Sequence, residues 1–296
     1  ERVANVGGVK ARLPMVPMAM LGILGGAFIA RGALYFTLVT SDPTISYAWS
    51  RVLGGMVFSL GLIMVVVAGA ELFTGNNLLV MAWADGLITT RELTRNWVVV
   101  YVTNIVGAFG VVALAWLAGL GELNQHRVAT HVMNIAVAKT SMPFWKAFFA
   151  GVLCNVLVCM AVWLAMAGRS VTDKVLAIIF PISAFVAAGF EHSVANFFFI
   201  GLALVFKADI GHTLSIPLES LTLAGFVRNL VPVTLGNIVG GGVLVAAVYY
   251  VIYRRQYPQA HGHGASEHRS LSGVQRAGRP DGGGGRQRRA VREAMR

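Results

Sequence analysis

The chain alternates between long stretches without charge and short polar interruptions. Runs lacking any Asp, Glu, Lys or Arg cover residues 13–30, 52–70, 96–121, 147–168, 175–190, 192–206 and 229–253. Several of them approach or exceed the ~20 residues that carry a helix across a ~30 Å hydrocarbon core. The pattern predicts six spans, roughly 15–39, 52–83, 97–118, 147–167, 175–206 and 229–253. Asp42-Pro43 and the segments 119–146 and 207–228 form the principal loops. Composition agrees, with 56% of the 296 residues hydrophobic and 12% charged, against about a quarter charged in soluble domains. A soluble globular fold is excluded, and the chain reads as an all-α polytopic membrane protein.

Two of the spans are too long. A helix over 52–83 would run about 48 Å at 1.5 Å per residue, well past a bilayer core. Each long span carries a polar interruption. The first is Gly69-Ala70-Glu71-Leu72-Phe73-Thr74-Gly75-Asn76, and the second is Gly189-Phe190-Glu191-His192-Ser193-Val194-Ala195-Asn196. Both read Gly-x-Glu-x4-Asn, 120 residues apart. Asn104-Ile105-Val106-Gly107 in the third span likewise recurs as Asn237-Ile238-Val239-Gly240 in the sixth. The second match is 133 residues apart, an offset larger by 13 that one longer loop in the second half explains, and the two matches in order point to an internal repeat, with copies at about 14–118 and 140–256. Three spans per copy is an odd number, so the second copy enters the membrane from the opposite side. That is the inverted 3+3 repeat of transporters and channels, with spans 2 and 5 broken where they meet.

Charge adds orientation. The net charge is +11, but residues from Arg254 onward hold ten arginines against Glu267, Asp281 and Glu293, so +7 sits in the tail and +4 in the body. That small body charge is no nucleic-acid signature. Before the tail, seven basic residues fall on one side of the membrane and six on the other. The tail therefore decides the orientation, with both termini cytoplasmic and the chain multi-pass in the cell (inner) membrane. The segment 1–13 precedes the channel domain 14–256, and 257–296 reads as a disordered basic tail facing the inner leaflet. The N-terminus lacks the features of a cleaved signal peptide.

Broken backbone at membrane depth survives only where protein buries it or where it lines a cavity. The two breaks thus predict a path for a polar solute. His192, a titratable ring in one break, is a candidate to act on that solute. Glu71 and Glu191, at equivalent positions with Asn76 and Asn196, read as braces whose carboxylates accept bonds from freed backbone N–H groups. Cys154 and Cys159 are five apart in one apolar run and read as buried free thiols.

These segments, with Asn229-Leu230-Val231-Pro232-Val233-Thr234-Leu235-Gly236-Asn237, resemble the signature segments of the formate/nitrite transporter family. The resemblance runs from about Pro14 to Gln256. Gly168-Arg169-Ser170, Asp173-Lys174 and Val251-Ile252-Tyr253 are more similar to the formate channels than to the nitrite ones. It implies an aquaporin-like protomer within a homopentamer, each protomer with its own pore for a small monovalent anion, formate first. It places the central pore histidine on His192, the loop threonine on Thr74, the vestibule lysine on Lys139 and the pore asparagine on Asn155. It places two apolar constrictions on Phe58, Leu62, Leu72, Phe73, Val158 and Phe185. Apolar constrictions exclude hydrated ions by dewetting, and a carboxylate losing its hydration there gains pKa. Passage as an anion or as a neutral acid with a returned proton both fit, and a pH-dependent flux is implied either way. Nitrite, lactate and hydrosulfide are alternative substrates within the resemblance.

No cofactor and no metal site is implied, and no enzyme chemistry. Glu191-His192 lacks the His-Glu-x-x-His spacing of a metalloprotease. A haem subunit needs paired histidines, and His192 is the one histidine well inside a span. A water or glycerol channel lacks its expected Asn-Pro-Ala pair. His261-Gly262-His263 could bind metal weakly. Gly22, Gly25, Gly26, Gly236, Gly240, Gly241 and Gly242 suit close helix approach. Arg31 lies inside the first span, where it could snorkel or pair across a protomer interface.

Overall fold

The structure is a computed structural model that describes residues 2–211 and 216–253. The basic tail, with His261-Gly262-His263, lies outside the described residues. The helices are α1 (Arg2–Ala11), α2 (Met15–Thr40), α3 (Tyr47–Ala68), α4 (Leu79–Ala84), α5 (Thr90–Leu117), α6 (Arg127–Thr140), α7 (Phe144–Ala167), α8 (Val171–Ala188), α9 (Ser193–Ile210), α10 (Leu223–Ile238) and α11 (Val248–Tyr253). A π-helical stretch, Val239–Ala247, joins α10 to α11, so the last span is continuous from Leu223 to Tyr253. Seven helices among the described residues are long and apolar enough to cross a bilayer. Two of these, α8 and α9, are halves of one broken span, and α3 continues through its break into α4. The chain therefore makes six crossings, with the second and fifth broken.

Helices begin earlier than the apolar runs alone suggest, because their caps are polar. Thr89 accepts from the Glu92 N–H while the Glu92 carboxylate takes the Thr89 N–H, a capping box that starts α5 before Trp97. Ser170 and Asp173 do the same for α8.

The breaks are set by glycine. Gly69 (φ +80°) and Gly189 (φ +75°) end α3 and α8 in the left-handed region, which costs glycine nothing and other residues about 1 kcal/mol or more. Beyond that point the copies differ. His192 caps α9 by accepting the Ala195 N–H at its Nδ1, 3.1 Å away, and a regular α-helix resumes at once. Thr74 makes no such cap, and the first copy passes through a 3-10 turn, Gly75–Leu78, before the short α4.

Close packing follows the predicted glycines. A Cβ on Gly26 or Gly107 would overlap the carbonyl oxygen of Asn104 or Ile23, so α2 and α5 touch backbone to backbone. Gly236 and Gly240 meet the Phe148 and Val152 carbonyls in the same way, where α10 crosses α7. The two crossings occupy equivalent places in the two copies. Arg31 is exposed on α2, its guanidinium carbon 6.0 Å from the Phe28 ring centroid. Among the described residues it has no carboxylate partner.

Candidate functional site: the facing helix breaks

Each break is held by the same set of polar side chains. Asn104 donates from Nδ2 to the carbonyls of Gly22 (2.7 Å) and Glu71 (3.0 Å), and its Oδ1 accepts the Phe73 N–H at 3.0 Å. Asn237 donates to Gly151 (2.8 Å) and Glu191 (3.0 Å) and accepts the Ser193 N–H at 3.0 Å. Part of the freed backbone of each break is thus satisfied by one asparagine from the third span of its own copy, and the Glu71 and Glu191 N–H groups donate to the Leu21 and Ala150 carbonyls, as burial requires.

The glutamates brace differently from the sequence expectation. Their carboxylates accept from side chains, not from backbone N–H groups, because Asn104 and Asn237 already fill that role. Glu71 takes the Asn76 amide at 2.6 Å and the Lys10 ammonium at 3.0 Å. Glu191 takes the Asn196 amide and the Lys139 ammonium, both at 2.7 Å. Asn76 and Asn196 then donate to Asn96 and Asn229, which reach back to the carbonyls of Lys10 and Lys139. Two Lys–Glu–Asn–Asn clusters result, one in each copy. The match extends the copies by one helix, since Lys10 stands on α1 and Lys139 on α6.

Thr74 and His192 join the two breaks. Their side chains are buried, and Thr74 Oγ1 lies 2.9 Å from His192 Nε2. The Ala195 N–H can only donate, so Nδ1 must accept and the proton of the neutral ring sits on Nε2. His192 therefore donates to Thr74, whose own hydroxyl proton has no acceptor among the described residues. The ring stacks on Phe185 at 5.9 Å, and Phe185 meets Phe58 edge to face at 5.6 Å.

Two cavities approach this pair, one lined by His192 itself and the other by Leu72 and Gly75 close to Thr74 in the chain. One, of about 240 Å³, is lined by Lys139, Glu191, Arg51, Phe58, Phe185 and His192, among others. The other, of about 210 Å³, is lined by Lys10, Lys174, Asn76, Leu62 and Leu72 with α1. Phe58 and Phe185 thus face the Lys139 side, and Leu62 and Leu72 the Lys10 side. Phe73 does not join them. Its ring turns away, 4.8 Å from Tyr101 and 6.2 Å from Trp97, and lines a groove on the lateral surface between α5 and α10. Neither Val158 nor Asn155 lines either cavity. Val158 is buried in the core. Asn155 lies behind the Thr74 loop, with Nδ2 against the carbonyls of Thr74 (3.1 Å) and Asn237 (2.7 Å) and the Asn77 Oδ1 (2.9 Å). Cys159 adds an S–H contact of 3.4 Å to the same Thr74 carbonyl. Both cysteines are buried free thiols. No metal-ligand cluster occurs among the described residues.

Lys10, Asn96 and Arg51 were not singled out by the sequence reading. A signal for Asn96 was present, because Asn96 precedes Asn104 by eight residues as Asn229 precedes Asn237. Lys10 stands before the first apolar run, outside the repeat copies that the sequence pattern marks.

Comparison with known proteins follows the same lines. The sequence profile described as formate/nitrite transporter matches residues 1–251. The formate channel FocA of Escherichia coli K12 is 40% identical over 86% of this chain and 93% of its own. A probable formate transporter of Methanothermobacter thermautotrophicus is 38% identical over 84% of this chain and 93% of its own. Among solved structures, a pentameric formate channel with formate bound superimposes with a TM-score of 0.74. It is 38% identical, and the match covers 81% of this chain and 97% of that one.

Proposed function

The chain belongs to the formate/nitrite transporter family, and on that premise we propose that it passes small monovalent anions, formate foremost, through one pore per protomer of a homopentamer. Relatives named as formate channels and a pentameric, formate-bound neighbour support the substrate and the assembly. The observation that carries the reading is the Thr74–His192 hydrogen bond, placed between two cavities and walled by apolar side chains.

The chemistry then runs from the cavities inward. A hydrated ion meets Phe58 and Phe185 on one side, or Leu62 and Leu72 on the other, and these walls do not replace lost water. At the midpoint the Thr74 O–H and the His192 Nε2–H are the donors that do. An oxyanion takes two bonds where the pair makes one to each other, and the bond gained offsets part of the hydration the ion loses. Desolvation there raises the pKa of a carboxylic acid, which favours carriage of a proton with it. A second proton on His192 would have to enter at Nδ1 and would displace the Ala195 N–H, so charging the ring also uncaps α9. This couples flux to acidity, rising as pH falls from neutral. The Lys139 cavity faces outward and both termini face the cytoplasm, supported by the concentration of arginine after Arg254.

The test is flux of labelled formate into proteoliposomes holding the purified protein, with nitrite, lactate and hydrosulfide as competitors. Saturable formate uptake above that of protein-free liposomes is expected. Uptake of a competitor with formate excluded would reassign the substrate, and permeation only by water or glycerol would overturn the reading.

A further inference from the structure

The vestibule lysines are electrostatically spent. Lys139 is ion-paired to Glu191 at 2.7 Å and Lys10 to Glu71 at 3.0 Å, so each pair brings almost no net charge to its cavity. His192, neutral with its Nδ1 occupied, brings none either. The charged and titratable residues lining the Lys139 cavity are Arg51, Lys139, Glu191 and His192. After the pair cancels, Arg51 is the remaining charge.

Arg51 is also placed to use that charge. It sits in the second turn of α3, and its Nε donates to the Ala187 carbonyl at 2.7 Å, near the end of α8. That bond fixes the guanidinium plane and leaves both Nη groups without an acceptor among the described residues. The Nη2 atom lies beside Gly189, where a Cβ would come within 2.8 Å of it. The glycine that allows the left-handed turn thus also keeps room for the guanidinium. Tyr47 flanks the other part of the group, its ring centroid 5.9 Å from the guanidinium carbon. A fixed planar fork with free N–H groups is the geometry that takes a carboxylate through two parallel bonds. The opposite cavity has a basic residue at a comparable place, without the carbonyl bond and glycine contact of Arg51. Lys174, on the first turn of α8, lines it together with Gly69 and makes no ion pair or side-chain hydrogen bond among the described residues.

We propose that Arg51 is the docking group that collects the substrate anion in the Lys139 cavity, with Lys174 serving the Lys10 cavity, and that the Glu-paired lysines are not. The inference rests on the anion-channel reading above and adds the recognition step. Capping α8 through Nε and receiving the anion through Nη are compatible, since the first orients the group for the second.

The experiment measures formate flux in proteoliposomes whose protein orientation is sorted, at several formate concentrations. Arg51→Gln is expected to raise half-saturating formate about tenfold for entry from the Lys139 side, with maximal flux little changed. Arg51→Lys, which keeps the charge but not the fork, should recover only part of that loss. Raising ionic strength should shrink the difference between Arg51→Gln and wild type. Lys174→Gln should show the same change for entry from the Lys10 side alone. An unchanged half-saturation in Arg51→Gln, with wild-type flux intact, overturns this inference and leaves the channel reading standing. If Arg51→Gln fails to assemble, Arg51→Lys decides: an assembled variant whose half-saturation rises for entry from the Lys139 side alone supports docking. Lowered maximal flux with unchanged half-saturation in Arg51→Lys reduces Arg51 to a cap of α8. Absence of anion flux in wild type removes both readings together.

Discussion

The Lys139 ammonium lies 2.7 Å from the Glu191 carboxylate, in a wall that leaves their side chains 14% and 3% exposed. Lys10 and Glu71 form the same pair at the other break, at 3.0 Å. Such pairs contribute little as pairs, but a buried carboxylate left alone is costly.

Removing one partner should therefore be worse than removing both. Lys139→Ala strands the Glu191 carboxylate and is expected to destabilise the protein by about 3–5 kcal/mol. The double variant Lys139→Ala/Glu191→Gln should regain more than half of that. Denaturant unfolding of the detergent-solubilised protein checks this, and a double variant no better than the single would contradict it.

The asparagines of the third and sixth spans should be equivalent in cost. Asn104→Ala leaves the Phe73 N–H and the Gly22 and Glu71 carbonyls short of a partner. Asn237→Ala does the same to Ser193, Gly151 and Glu191. Each buried orphan costs about 1–3 kcal/mol. Thermal unfolding should show two similar losses, and one silent variant would deny the structural equivalence of the copies.

His131 ties α6 to the end of α2. Thr40 Oγ1 donates to the Phe36 carbonyl at 2.8 Å, so at the His131 contact, also 2.8 Å, it accepts from Nε2. Burial holds the imidazole below its ordinary value of 6.5. The unfolded chain therefore binds this proton at higher pH than the folded one, and stability from neutral His131 is lost as pH falls through that value. Protection factors for hydrogen exchange over residues 127–140, corrected for the intrinsic rate at each pH, should fall in mild acid, and His131→Gln should flatten this response. An identical acid response in the variant would assign it to another group.

Much of the architecture was legible because burial in a bilayer leaves little freedom. Uncharged runs marked the six crossings, and Gly69 and Gly189 with their following glutamates marked both breaks. The repeat offset placed Thr74 and His192 in facing breaks, though not in direct contact. Lys139 could be located but its pairing could not, because Glu191 stands 52 residues away on another element. The rotation of Phe73 toward Trp97 and Tyr101 was equally hidden, since no pattern in the sequence says which side of an irregular loop a ring takes. Asn155 shows the same limit, being brought to the Thr74 loop from α7 by packing alone.

In the proposed function the Thr74–His192 pair receives the substrate between the cavities, and its proton sets the response to acidity. His192→Asn retains a side-chain acceptor for the Ala195 N–H and a donor toward Thr74, while removing the titrating ring. Formate flux into proteoliposomes, measured from neutral to mildly acidic pH with pentamer integrity followed in parallel, tests it most directly. Wild-type flux is expected to rise as pH falls, and an intact His192→Asn pentamer is expected still to conduct formate with most of this rise gone. An intact variant with the wild-type pH profile would contradict it, leaving His192 a helix cap and placing the acid response elsewhere.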